Sequence, residues 1–371
     1  MMDSHRKLPT VVAVFMLFAA LLAACGGPAA PTTPSSSEAT APAAGAAAPA
    51  PAPQGAPKYH FVMVSHIGSS DPNELWLQFA KKEFERRFPE VTIDYVATDQ
   101  FSVENLVSLL KQTIATKPNG IAVPIVSSEA EGPVIQEAIA QGIPVVAFNT
   151  IPSGDKTVPY LAYVGGDVYK DGVVLGQAIL DAAKAGKVPQ PKQAVCANPD
   201  IGHQGLVARC KGFSDTMAKA NVKSEMLDIS SDPARESSIM QSYLQGHPDV
   251  NAIFSTTART GPVVYKAAQE LDLSPDVDDK GVTIVSTDES PVSLEGVKLG
   301  HILATHSQGF YLQGFTPFEI LYFNLELGYQ PSTDILSGPI LIDSSNVDKW
   351  IPLTKNAFKD QYDTLAQGAW D

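Results

Sequence analysis

From Tyr59 onward, short apolar runs alternate with amphipathic stretches at a spacing of about 25–30 residues, the rhythm of strand–helix units in a parallel sheet. The run Ile143-Pro144-Val145-Val146-Ala147-Phe148 carries the strongest constraint. It is apolar without alternation, so a strand here must be covered on both faces, and helical crossovers supply that cover. Strands are predicted over 59–65, 91–97, 120–126 and 143–149, with helices over 75–87, 103–116 and 132–141 between them. After a connection through 160–165 the rhythm restarts. Helices are predicted over 172–185, 205–220, 236–244, 261–271, 293–298 and 310–327. Strands are predicted over 193–197, 225–229, 251–255, 282–286, 302–306 and 340–342. The fold class is α/β, with two doubly wound parallel-sheet lobes joined by a hinge. Ligands of open parallel sheets sit beyond the carboxyl ends of the strands. Two such sheets facing each other create a cleft, and closure about a hinge is its natural motion.

The segment ahead of this body is of different material. Arg6 and Lys7 precede an unbroken apolar run over 11–24, which suits a signal peptide and is short for a membrane span. The run ends in Leu22-Ala23-Ala24-Cys25, followed by Gly26 and Gly27, and resembles the bacterial lipobox. That resemblance implies a signal peptide over 1–24, lipidation of Cys25 and a membrane anchor made of acyl chains. An ordinary signal peptide with an incidental cysteine is the alternative. Residues 25–57 are nearly all Ala, Pro, Gly, Ser and Thr, with Glu38 the only charge. Such a stretch buries too little apolar surface to fold, and its prolines favour an extended tether.

The remaining body, about 310 residues, is long enough for two domains. The expected division is an N-terminal lobe over 58–165 with 309–340, a C-terminal lobe over 166–308 with 341–355, and a C-terminal tail over 356–371. The chain carries 26 Lys and Arg against 40 Asp and Glu, without a basic run, so nucleic acid is not an expected partner. With Cys25 assigned to lipid, Cys196 and Cys210 remain as a pair in an oxidising compartment. A disulfide is expected; two buried free thiols are the alternative.

Several segments, in this order and spacing, are similar to type I periplasmic binding proteins, the ribose-binding-protein-like sugar-binding group. They are Val64-Ser65-His66-Ile67-Gly68-Ser69-Ser70-Asp71-Pro72 with Trp76, and Gly142-Ile143-Pro144-Val145-Val146-Ala147-Phe148-Asn149-Thr150. Further on come Arg209-Cys210-Lys211-Gly212-Phe213, His247-Pro248-Asp249-Val250-Asn251-Ala252-Ile253-Phe254, Thr287-Asp288 and His306-Ser307-Gln308. The resemblance spans Tyr59 to about Leu353. It implies a substrate-binding protein of an ABC transporter, working with a permease at the outer face of the cytoplasmic membrane, as a monomer. It also implies the ligand contacts: Asp71 and Trp76 from the first loop, Asn149 and Thr150 from the fourth strand, then Arg209, Thr257, Asp288 and Gln308. His66 and His306 are secondary candidates. Asn73-Glu74-Leu75 departs from the aromatic pair common in this loop, and Thr257 stands where Asn is frequent.

The chemistry of these residue types fits a neutral polyhydroxy ligand, a sugar or polyol. Carboxylates only accept, Arg only donates, and Asn and Gln do both, which matches hydroxyls that donate and accept. Trp76 is expected to cover an apolar face, while Phe310, Gln313 and Phe315 are assigned to packing of the long helix. No cofactor and no metal is expected. Walker, nucleophile-elbow and zinc-protease motifs are missing from the sequence, which argues against an enzyme. The alternatives are a ligand-sensing protein for a chemoreceptor or kinase, and a binder of a nucleoside or an autoinducer-2-like compound.

Overall fold

The unbroken apolar runs become inner strands, and the alternating ones become edges. In the computed structural model, β3 (Gly120–Val123) and β4 (Val145–Asn149) are buried throughout, whereas β2 (Val91–Ala97) alternates buried and exposed in its first half. The structure describes residues 56–66, 68, 71–98, 102–151, 157–275 and 281–370, all within one compact unit spanning 52–371. The proposed signal peptide, Cys25 and nearly all of the tether lie outside the described residues.

The first half runs β1 (Tyr59–Ser65), α1 (Glu74–Arg87), β2, α2 (Val103–Ala115), β3, α3 (Ser128–Ala140), β4 and β5 (Tyr163–Gly166). The second runs α4 (Val168–Lys184), β6 (Gln193–Asn198), α5 (Gln204–Lys219), β7 (Lys223–Asp228), α6 (Pro233–Gly246) and β8 (Val250–Ser255). It continues with α7 (Thr260–Gln269), β9 (Thr283–Val285), α8 (Pro291–Leu299) and β10 (Ala304–Ser307). The chain then returns through α9 (Phe310–Leu327), β11 (Ile335–Gly338), β12 (Ile340–Asp343), α10 (Val347–Phe358) and α11 (Gln361–Gly368).

Two six-stranded sheets result, ordered β11-β5-β4-β3-β1-β2 and β12-β10-β9-β8-β6-β7. The first is parallel throughout; in the second only β12 runs antiparallel, against β10. The order reverses between β1 and β3 in one sheet and between β6 and β8 in the other, which are the switch points where such sheets take ligands. Helices cover both faces. Phe61, Met63 and Phe148 pack under α1 and α9, while Val62, Val64 and Ile121 pack under α2 and α3. The chain passes between the sheets three times: after β5, between β10 and α9, and at the cis Gly338–Pro339 bond between β11 and β12.

Three local differences from the sequence reading have physical causes. The connection over 160–165 contains β5, whose apolar content is short and glycine-interrupted. The sheet change falls at Pro339, so Ile340 pairs with Ser307 in the second sheet, one residue earlier than the expected boundary. The segment over 356–371 is not a loose tail. Tyr362 and Ala366 of α11 join Phe358 and Trp76 in the first core, and the Trp370 ring lies against Gly296, Tyr265 and His301 of the second lobe. Trp370 Nε1 donates to the Val292 carbonyl at 2.9 Å. The C-terminal helices therefore strap the two lobes together, through large side chains too widely spaced to show as a periodic pattern.

Cys196 on β6 and Cys210 on α5 form a disulfide with a Cα separation of 5.5 Å. It joins a buried strand to the helix that carries Arg209, closing a loop of 14 residues in sequence separation. Replacing both cysteines by serine should lower unfolding free energy by about 3 kcal/mol, the scale of such a loop closure. Denaturant titration reads this directly, and an unchanged midpoint would contradict it. Trp370→Ala should cost about 2–4 kcal/mol with the denaturant slope preserved, because it removes packing and one hydrogen bond without altering the fold.

Candidate functional site

The loops beyond the carboxyl ends of both sheets enclose one cavity of about 240 Å³. Its first-lobe wall comes from His66 after β1, Asp71 and Asn73 before α1, Thr98 after β2, and Asn149 and Thr150 at the end of β4. The second lobe supplies Asp200 and His203 before α5, Arg209 on α5, Thr257 and Arg259 after β8, and Asp288 after β9. Gln308 and Phe310 come from the crossover between β10 and α9. The lobes meet around this cavity. Asn73 Nδ2 donates to Asp288 Oδ2 at 2.9 Å, and the His66 and His203 rings stand edge-on at 5.4 Å between centroids. Trp76 Nε1 donates to the Glu289 carbonyl at 3.2 Å.

Arg209 is held by two partners. Its Nε donates to Asp171 Oδ2 and its Nη1 to the Thr256 carbonyl, each at 3.0 Å, which leaves Nη2 for the cavity. Asp171 on α4 is fully buried. Two glycines make the contact possible. A Cβ on Gly172 would lie 1.9 Å from the Arg209 carbonyl oxygen, and one on Gly212 would lie 2.0 Å from that of Tyr169. Only bare backbone lets α4 and α5 come this close. Arg259 is likewise matched by a buried carboxylate, Glu236, at 3.0 and 2.6 Å. Both cations on the wall thus carry their own counter-ion.

The carboxylates are arranged as acceptors. Asp288 receives Asn73 Nδ2 on one oxygen and Gln308 Nε2 on the other. Asp71 Oδ1 accepts the Asn73 backbone N–H at 2.8 Å. Burial, with the neighbouring Asp288 charge, pushes the Asp71 carboxyl up to about 6. The histidines move the other way. Burial, helped by the nearby Arg209 charge, holds His66 down at about 4 and His203 well below the usual imidazole range. His203 Nδ1 accepts the N–H groups of Gly205 and Leu206 at the start of α5, which puts its ring proton on Nε2. Asn149 and Asp288 both take positive φ, 62° and 75°. Asn and Asp tolerate that region best among residues with side chains, and such strain gathers at binding sites.

Four buried polar atoms on the walls have no partner among the described residues: Asn73 Oδ1, Thr98 Oγ1, Thr150 Oγ1 and Gln308 Oε1. Buried groups of this kind are normally satisfied, and each one left unmade costs about 1–3 kcal/mol. The cavity is therefore built for a guest that both donates and accepts.

Of the residues singled out from sequence, Asp71, Asn149, Thr150, Arg209, Thr257, Asp288, Gln308 and His66 line this cavity. Two do not. Trp76 is in the first core, edge-on to Phe79 and Phe358, and covers no cavity wall. His306 is fully buried behind the wall, its Nε2 3.8 Å from Asp171 Oδ2. Phe310 lines the cavity instead of only packing its helix. Thr257 is present, but its hydroxyl bonds Thr260 Oγ1 at 2.9 Å. Sequence reading missed Asn73, Thr98, His203 and Arg259. Thr98, His203 and Arg259 lie within a few residues of a strand end, and Asn73 is the N-cap of α1; these positions are the signal that could have found them. Among the described residues no cluster suited to a metal ion occurs, and no helix is long and apolar enough to cross a membrane.

Residues 64–328 match the family described as periplasmic binding protein domain. The xylose/arabinose-binding protein XylF of Sulfolobus acidocaldarius is 25% identical over 366 residues, covering 94% of this chain and 88% of that protein. Among solved structures, a periplasmic sugar-binding protein of an ABC transporter from Legionella pneumophila superposes with TM-score 0.67 at 26% identity, over 76% of this chain and all of the other. A carbohydrate transporter from Acidothermus cellulolyticus, in complex with myo-inositol, superposes with TM-score 0.71 at 21% identity, over 82% and 100%. It shares the fold. The family is one of substrate-binding proteins and not of enzymes, in keeping with the sequence reading. With two facing doubly wound lobes, three crossovers and a cavity between the strand ends, the chain belongs to the periplasmic binding protein family.

Proposed function

We propose that this chain captures a neutral monosaccharide or cyclitol between its lobes and delivers it to the permease of an ABC importer. It acts as a monomer at the outer face of the cytoplasmic membrane, anchored through a lipidated Cys25. The observation that carries the reading is the set of partnerless polar atoms at Asn73, Thr98, Thr150 and Gln308. A polyol presents hydroxyls that donate and accept in every direction, so one guest answers all four. Arg209 and Arg259, each neutralised by its own carboxylate, favour a guest without charge. The cavity volume suits one sugar ring. Phe310 offers one aromatic surface, which serves the C–H face of a sugar. The similarity to a xylose/arabinose-binding protein along nearly the whole chain points to the same ligand class.

A thermal-shift screen with pentoses, hexoses, inositols and nucleosides is the direct test. At least one neutral polyhydroxy compound should raise the melting temperature, and Asp288→Ala should abolish that rise. A response confined to nucleosides or amino acids would overturn the ligand class. Affinity should also depend on pH. Ionised, Asp71 accepts on both oxygens; protonated, it turns one of them into an O–H donor and loses its charge, and burial pushes its carboxyl up to about 6. Protonation competes with ligand below that point, so the dissociation constant should rise roughly tenfold between pH 7.5 and 5. Asp71→Asn should remove most of this dependence. Calorimetry showing a flat wild-type profile would exclude Asp71 as an ionised acceptor.

A further inference from the structure

The helix α9 begins without a cap of its own. Its N-cap residue is Gly309, which has no side chain to offer and adopts a φ of 73°. A Cβ at this position would lie 2.5 Å from the Ser337 carbonyl oxygen, so no serine or aspartate can stand there. The first N–H groups of a helix need acceptors, and here the surrounding residues are buried, Gln308 at 3% and Phe310 at 1% exposure. The acceptor for the first of them arrives from the other lobe, on a carboxylate that also takes the N–H just ahead of the N-cap. Glu289 Oε2 accepts the Gln308 N–H at 2.9 Å, and Oε1 accepts the Phe310 N–H at 2.8 Å. The carboxylate also lies at the positive end of an 18-residue helix, where negative charge is favoured.

The same residue is tied elsewhere through its backbone. Its carbonyl accepts Trp76 Nε1 from α1 and Thr354 Oγ1 from α10, at 3.2 and 3.3 Å. It directly follows Asp288, and the residues it grips carry two further cavity walls, Gln308 and Phe310. Glu289 itself does not line the cavity.

We propose that Glu289 is a positioning residue that caps α9 from the opposite lobe and thereby keeps Gln308 and Phe310 in register with Asp288. Binding of a guest against Asp288 and Gln308 then bears directly on the crossover about which the lobes move. This rests on the reading of the cavity as a ligand site, but its first test does not need a ligand.

Amide hydrogen exchange on the full folded protein measures the cap itself. In Glu289→Gln one of the two N–H groups loses its acceptor, and at least one of the Gln308 and Phe310 amides should exchange at least tenfold faster. Exchange within twofold of wild type would overturn the proposal. Should this variant fail to fold, exchange in the wild type decides: Phe310 protected like the middle of α9 supports the cap, and Phe310 exchanging like an exposed loop overturns it. The second readout is affinity for whichever sugar stabilises the wild type. Glu289→Gln should weaken it at least tenfold, mainly through faster dissociation. Thr354→Val, which loses only the bond to the Glu289 carbonyl, should lower melting temperature yet keep affinity within twofold. Equal weakening by both variants would reduce Glu289 to a merely structural residue. A wild type that binds no sugar would sink the ligand reading, and the exchange measurement would still decide the role of Glu289.

Discussion

The buried pair between Asp171 and Arg209 is the interaction around which this site is arranged. Asp171 is wholly out of solvent and Arg209 nearly so. Removing either partner of such a pair strands a charge and costs about 3–5 kcal/mol. The pair needs α4 and α5 in backbone contact, which Gly172 and Gly212 permit. It also needs α5 at a fixed height on its sheet, which the neighbouring Cys196–Cys210 disulfide supports. The Thr256 carbonyl beyond β8 supplies the third restraint. One guanidinium is thus set at the cavity by two helices, one strand end and a covalent bond.

A second network runs across the hinge side of the cleft. Asn73 from the first lobe and Gln308 from the crossover both reach Asp288, and the next residue, Glu289, grips the backbone on either side of Gly309. Asn149 is tied in through Gln313, whose amide returns to the Gln308 carbonyl. Side chains that line the cavity and backbone of the crossover between the lobes are therefore tied into one network. Left-handed backbone at Asn149, Asp288 and Gly309 marks where the chain bends away from regular strand and helix to bring them together. A ligand that adds bonds only when the lobes are shut shifts the population toward the shut form.

Much of this was legible in the chain before any coordinates. The strand–helix rhythm placed ten of the strands and the main helices, because strands covered on both faces must be continuously apolar. Asn149 and Asp288 at strand ends and Arg209 on α5 were singled out by the resemblance to sugar-binding proteins, and all three line the cavity. The errors fall where one spacing serves two purposes. Trp76 follows the first loop and also occupies a buried helical position; α1 turns it toward Phe358, an element the pattern did not reveal. His306 lies within β10 and its ring stands beside Asp171, whereas Gln308 lies past the end of the strand, in the crossover, where strand alternation no longer sets direction, and it lines the cavity.

The sequence alone determined the class of fold and the count of lobes. These follow from periodicity and composition, which are local properties of a chain. Tertiary structure alone decided the partners: that Asp171 answers Arg209, that Glu236 answers Arg259, that Glu289 caps a helix of the other lobe, and that α11 and Trp370 strap both lobes. Each joins residues tens or hundreds of positions apart. Which distant groups meet depends on how close two helices can approach and which face of a strand is turned inward, and those are set only when the whole fold packs.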